Sequence, residues 1–162
     1  MPIVALSDLK SRLPPRTRLI GLDVGEKTLG MALSDPGLAV ASPIGTLRRA
    51  KFAADAAELF RIVEERGVGG LVIGLPVNMD GSEGPRCQSV RQFAQNLLAM
   101  RDLPIAFWDE RLSTAAVERF LIDADMTRRR RSQVVDKMAA AYILQGALDA
   151  LGRPGPDPKS QK

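Results

Sequence analysis

Three acids, far apart in the chain, have the residue types and surroundings for chemistry. Asp23 closes the short apolar run RLIGLD and is followed by Gly25 and, beyond Lys27, by Gly30. An acid at the end of a buried strand beside glycines sets a carboxylate next to open backbone, where a tight turn leaves room for a phosphate or a metal-bound ligand. Taken alone, the same pattern serves equally well as a hairpin whose aspartate caps the turn. Asp109 and Glu110 end a second run, PIAFWDE. Strand alternation points them to opposite sides, so one of the two faces a given site, and the residues alone leave open which. Asp136, in QVVDKMAAAYILQ, shares a helical face with Ala140, Ile143 and Ala147. In isolation it complements the helix dipole, worth about 0.3–1 kcal/mol. Brought together, such carboxylates repel one another unless a divalent cation neutralises them. Hard oxygen ligands suit magnesium or manganese. The chemistry such a cluster supports beside basic residues is phosphodiester hydrolysis, with metal ions activating water and stabilising the leaving oxygen.

Basic residues lie close to each candidate. Lys27 follows Asp23, Arg111 follows Glu110, and the run Arg128, Arg129, Arg130, Arg131 reads as a loop immediately before the Asp136 helix. The loop from Asn78 to Arg86, NMDGSEGPR, leads into a helix whose first turn is a natural anion site, with Arg91 one turn further on. Phosphate contact is expected from Lys27, Asn78, Arg86, Arg111 and the four arginines. Ser113 and Thr114 read as helix caps rather than catalytic hydroxyls. Aromatic residues are only 4% of the chain, so extensive stacking on single-stranded bases is not supported.

The elements that must position these residues follow from periodicity. RLIGLD (18–23) and TLGMALSD (28–35) read as a strand hairpin, with a third strand around 39–47 whose limits Pro43 blurs. A helix over 52–66 repeats Phe52, Ala56, Leu59, Phe60 and Val63 at spacings of three and four, and Gly67 ends it. GLVIGLP (70–76) is a strand buried on both faces, Pro85 opens a helix to about Met100, and PIAFWDE (104–110) is the last strand. Helices over about 114–124 and 132–151 complete an α/β order of three leading strands then β-α units, a mixed sheet flanked by helices. Residues 1–17 read as an extension with a helical turn near 7–13; 18–151 as one domain; and 152–162 as a Pro/Gly-rich disordered tail.

Composition narrows the chemistry further. The chain has 162 residues, 45% hydrophobic and 26% charged, the balance of a single soluble globular domain. No apolar run approaches the roughly 20 residues of a membrane span, so no membrane partner is expected. Histidine is absent, which removes His-based acid–base catalysis, Ser-His-Asp and Cys-His systems and His-ligated zinc. The single Cys87 cannot form an internal disulfide, and with no secretory signal the expected location is the cytoplasm. A net charge of +4 gives a mild preference for polyanions.

Four ordered motifs, GLDVGEKTLGMALSD, VIGLPVNMDGSEGPR, WDERLSTAAVERFL and VDKMAAAYILQGALD, closely resemble those of the YqgF/RuvX family, over about Arg18 to Leu151. That resemblance implies an RNase H-like fold and a cytoplasmic nuclease, dependent on Mg2+ or Mn2+, that matures the 5′ end of 16S rRNA during ribosome biogenesis. It implies that Asp23, Glu110 and Asp136 are the catalytic, metal-holding acids. It also implies structured RNA as partner, pre-16S rRNA within a ribosome precursor, for a monomer or homodimer. Thr28 stands where relatives often have a basic residue, and Ser113-Thr114 replaces a threonine pair. Resolvase relatives carry an acid on the fourth strand, where LVIGLP has none. Branched DNA is the alternative substrate, and a non-catalytic RNA-binding assembly factor the alternative class. A two-domain actin-like ATPase needs a longer chain, and the Walker A and Rossmann glycine patterns are absent.

Overall fold

In the computed structural model the protein is described over residues 3–112 and 128–152, the side chains of 128–137 excepted. The expected helix over 114–124 and the tail beyond Gly152 fall outside the described residues.

Five strands form one sheet. β1 (Arg18–Val24), β2 (Thr28–Ser34) and β3 (Ala41–Arg48) run antiparallel, and β4 (Val68–Leu75) and β5 (Ile105–Asp109) lie parallel to β1, in the order β3-β2-β1-β4-β5. The mixed sheet flanked by helices read from the sequence is the one observed. Every residue of β4 is buried, as its β-branched run requires at the centre of a covered sheet. Pro43 sits on the edge strand, where its missing N–H costs no ladder bond, and the register shifts there between Met31 and Ala32.

Helices cover both faces. α2 (Phe52–Arg66) and α3 (Pro85–Met100) follow the short α1 (Leu6–Leu9), and together they bury Leu59, Val63, Val90, Phe93 and Leu97 against Ile20, Leu22, Leu71 and Ile73. Gly67, at φ 65°, closes α2 in the left-handed conformation that a side chain resists. The opposite face takes α4 (Arg128–Gly152), whose Ala140, Ile143, Leu144, Ala147 and Leu148 meet Leu19, Val72 and Ala106. α4 begins at Arg128, not at Ser132. The four arginines read as a loop lie in its first turns, because arginine favours helix and no breaker separates them from Ser132.

Small residues let α4 approach closely. A Cβ on Gly21 would fall 2.6 Å from Leu144 Cβ and 2.9 Å from the Ala140 carbonyl oxygen. Gln145 ties the same helix to the sheet edge, accepting from Ala41 N–H at 2.9 Å and donating to the Ala39 carbonyl at 2.9 Å. The leading segment also contributes: Val4 N–H donates to the Ile105 carbonyl at 2.9 Å, and Val4 and Leu9 are buried with the α4 cluster.

Candidate active site

The site is built where the sheet's parallel strands end. Leu22 pairs with Ile73, and Ile73 with Phe107, so these three share the face covered by α2 and α3. One residue further on, parity sends Asp23, Gly74 and Trp108 to the α4 face. Glu110, just past β5, keeps the parity of Trp108, and its N–H donates to the Leu75 carbonyl at 3.1 Å. Asp109 goes to the other side. The structure thus brings Glu110, and not Asp109, against Asp23.

Glu110 is largely withdrawn from solvent. Burial first, then the neighbouring Asp23 charge and a hydrogen bond shared with Asp23, push its carboxyl from the usual 4.5 up to about 7, with Arg86 acting in the opposite direction. Two carboxyl groups pressed together in a half-buried niche are therefore one proton short of full ionisation near neutral pH. Gly74 makes the niche possible, since a Cβ there would lie 2.7 Å from Glu110 Oε1. Nothing in the run LVIGLP marks this glycine beyond its interrupting a buried strand, which is itself the cue for a close approach.

Asp109 has a structural task. Arg111 clamps it with Nε and Nη2, at 2.9 Å and 2.6 Å to Oδ2, and its own N–H donates to Asp109 Oδ1 at 3.0 Å. These bonds hold the Asp109 carboxyl below the usual range. Arg111 Nη1 also reaches the carbonyls of Asn78 and Met79, both at 3.4 Å. The arginine expected to meet phosphate is therefore engaged in bracing the loop after β4 onto the end of β5. In that loop Asn78 bonds to Ser82 through both backbone and side chain. Lys27 is exposed at the tip of the β1–β2 hairpin, and Arg86 is exposed in the first turn of α3.

The side chain of Asp136 lies outside the described residues, as do those of Arg128, Arg129, Arg130 and Arg131. The α4 backbone carries Asp136 one turn before Ala140, the residue whose carbonyl abuts Gly21, two positions before Asp23 on β1. Among the described residues no set of three acidic, histidine or cysteine side chains is grouped to hold a metal ion. The donors in view are the oxygens of Asp23 and Glu110. Their chemistry fits a hard divalent cation, which would relieve the repulsion that now raises the Glu110 carboxyl.

A model of the family described as RuvX, Holliday junction resolvase, matches residues 17–150. The chain belongs to the RuvX family. Among its relatives, a protein of Rhodospirillum centenum is 65% identical over 156 residues, covering 93% of this chain and 83% of that one. Another, from Rhodospirillum rubrum, is 60% identical over 158 residues, covering 97% and 98%. Both carry the name "Putative pre-16S rRNA nuclease". Among solved structures, Thermus thermophilus RuvC in complex with a Holliday junction substrate superposes with a TM-score of 0.50 at 11% identity, covering 84% of this chain and 96% of that one. At that identity the likeness is one of fold, and it agrees with the mixed five-stranded sheet.

The acid pair makes a prediction about the metal-free RuvX-family fold itself. The folded chain holds a proton on Glu110 that the unfolded chain releases above its ordinary carboxyl range. Between those two values the native state binds more protons, so stability falls as pH rises from about 5 to about 8. The contribution is on the order of 2–3 kcal/mol. Denaturant titrations in chelator at the two pH values should show that loss in the wild type. Glu110→Gln, which keeps a neutral side chain at both, should lose less by that amount. Parallel pH profiles for the two proteins would contradict the geometry of the pair.

Proposed function

We propose that this RuvX-family protein is a metal-dependent endonuclease that hydrolyses phosphodiester bonds of structured RNA, in maturation of the 5′ end of pre-16S rRNA. The observation that carries this reading is the contact of two acids from β1 and the end of β5, where burial and the Asp23 charge raise the Glu110 carboxyl to about 7. The family and the names of its relatives supply the substrate class.

Asp23 and Glu110, joined by Asp136 from α4, would hold a Mg2+ or Mn2+ ion. Such an ion supplies a nucleophilic water at neutral pH and stabilises charge on the leaving oxygen. The chain's own groups do the rest. Glu110 gives up its proton to become a ligand, which Arg86 favours by its charge. Lys27, in the turn that follows Asp23, and Arg86, near enough to act on Glu110, supply cations that would draw in and orient a backbone phosphate. Arg128, Arg129, Arg130 and Arg131 are assigned to the phosphates of the flanking helix. Asn78 and Arg111 fix the loop that borders the site. No described helix is long and apolar enough to cross a membrane, and a single cysteine, unable to form an internal disulfide, suits work in the reducing cytoplasm.

Purified protein with either ion should shorten a precursor 16S transcript at its 5′ side and leave the mature molecule intact, read on denaturing gels. A four-way DNA junction in the same assay separates the branched-DNA alternative. Cleavage of the junction alone would transfer the activity to DNA, and binding without cleavage of either would leave an assembly factor.

A further inference from the structure

A cavity of about 380 Å³ opens at the end of the sheet beside the acid pair, lined by Val24, Gly25, Glu26, Arg49, Pro85, Arg86, Ser89 and Val90. It begins at the residue after Asp23, and Arg86 in its wall is near enough to act on Glu110. Arg49 enters from the turn between β3 and α2. Its Nη1 donates to the Gly25 carbonyl at 2.6 Å, its backbone N–H donates to the Lys27 carbonyl at 2.8 Å, and its guanidinium carbon stands 5.4 Å from the centroid of the Phe93 ring. Three elements therefore fix the position of this cation.

Arg49 and Arg86 are not tied up in ion pairs as several other arginines are. Arg61 pairs with Glu58 and Glu65, Arg91 with Glu83, Arg101 with Glu64, and Arg111 with Asp109. Among the described residues neither Arg49 nor Arg86 lies within ion-pair distance of a carboxylate. Two guanidiniums against the one carboxylate of Glu26, facing one cavity with the Ser89 hydroxyl and the first turn of α3, leave a net positive lining over a recess of ample size for one phosphodiester group.

We propose that this cavity is a subsite for a nucleic-acid backbone phosphate adjacent to the scissile one, with Arg49 and Ser89 joining Arg86 as its ligands. The subsite rests on the nuclease reading for its orientation, since Val24 of its lining follows Asp23 and Arg86 of its lining acts on Glu110. Arg49 meets the phosphate with the edge of its guanidinium left free by Gly25, and the Phe93 face keeps the plane from turning. Seating one phosphate there aligns its neighbour in the chain with Asp23 and Glu110.

The test measures binding apart from cleavage, with a fluorescein-labelled synthetic RNA duplex, no divalent metal, and salt varied. Loss of one phosphate contact lowers the slope of log affinity against log salt by about one. Ser89→Glu, which places a negative charge in the recess without removing any internal bond, should weaken binding about tenfold and lower the slope, as should Arg86→Ala. Arg49→Ala disturbs the hairpin as well, so Arg49→Lys is its companion: it keeps the charge, loses the fork, and should show an intermediate loss of binding with a melting temperature closer to the wild type than that of Arg49→Ala. Unchanged affinity and slope in Ser89→Glu and Arg86→Ala overturn the subsite, whatever the nuclease assay gives. Weakened binding in these variants, beside a wild type that binds and never cleaves, would keep the subsite and overturn the nuclease.

Discussion

Asp23→Asn is expected to lower cleavage of precursor rRNA by roughly a thousandfold, equivalent to about 4 kcal/mol of transition-state stabilisation. The amide keeps the shape of the carboxylate and loses the charge a cation needs. It also ends the repulsion on Glu110, because an amide N–H donates to the carboxylate that Asp23 now opposes. Activity and stability should therefore move in opposite directions: cleavage lost, and resistance to denaturant at pH 8 in chelator equal to or above that of the wild type. RNA binding, carried by the arginines, should be within a factor of about two of the wild type at matched salt. This combination excludes simple misfolding as the cause. Cleavage surviving in the variant would remove Asp23 from the chemistry, and with it the reading of the pair as a metal site.

Much of the scaffold was legible because its signals are local. Gly67 after a period of three and four, Pro85 before another, and the β-branched run of β4 mark boundaries that depend on nothing distant. The acids were legible as candidates for the same reason, as strand-terminal residues next to glycine. Choosing between Asp109 and Glu110 was different. Strand alternation separates them, yet only the register of β5 on β4, Trp108 against Gly74, says which one meets Asp23. The arginine run misled because a string of like charges reads as a solvated loop, whereas its helix propensity and the following core-facing stripe draw α4 back to Arg128. Val4 and Leu9 carried no periodic pattern long enough to read, and they are buried by the surface that α4 and β5 together create. Arg49 left no trace in the sequence beyond a basic residue ahead of a helix. Its place depends on a carbonyl 24 residues earlier and a ring on α3.

Gly74→Ala is expected to cut cleavage by roughly a hundredfold while costing the fold about 1–3 kcal/mol. The backbone at Gly74 does not have positive φ, so alanine meets no conformational penalty there; the obstacle is space. The new methyl would lie 2.5 Å from Ile143 Cδ1, 2.7 Å from Glu110 Oε1 and 3.0 Å from Glu110 Cγ. Ile143 can move the end of its side chain at modest cost. Glu110, its backbone held by the N–H bond to the Leu75 carbonyl, makes room only by drawing its carboxyl away from Asp23. Adding Ile143→Val separates the two effects. It removes the Cδ1 that collides with the methyl, so it should restore part of the stability, and it leaves the Glu110 displacement in place, so cleavage should stay low. The displaced carboxyl should also return toward its ordinary range, flattening the pH dependence of stability in the same way as Glu110→Gln. A Gly74→Ala protein with full activity and an unaltered pH profile would mean that Glu110 has room the structure denies it, and that its contact with Asp23 does not govern the site.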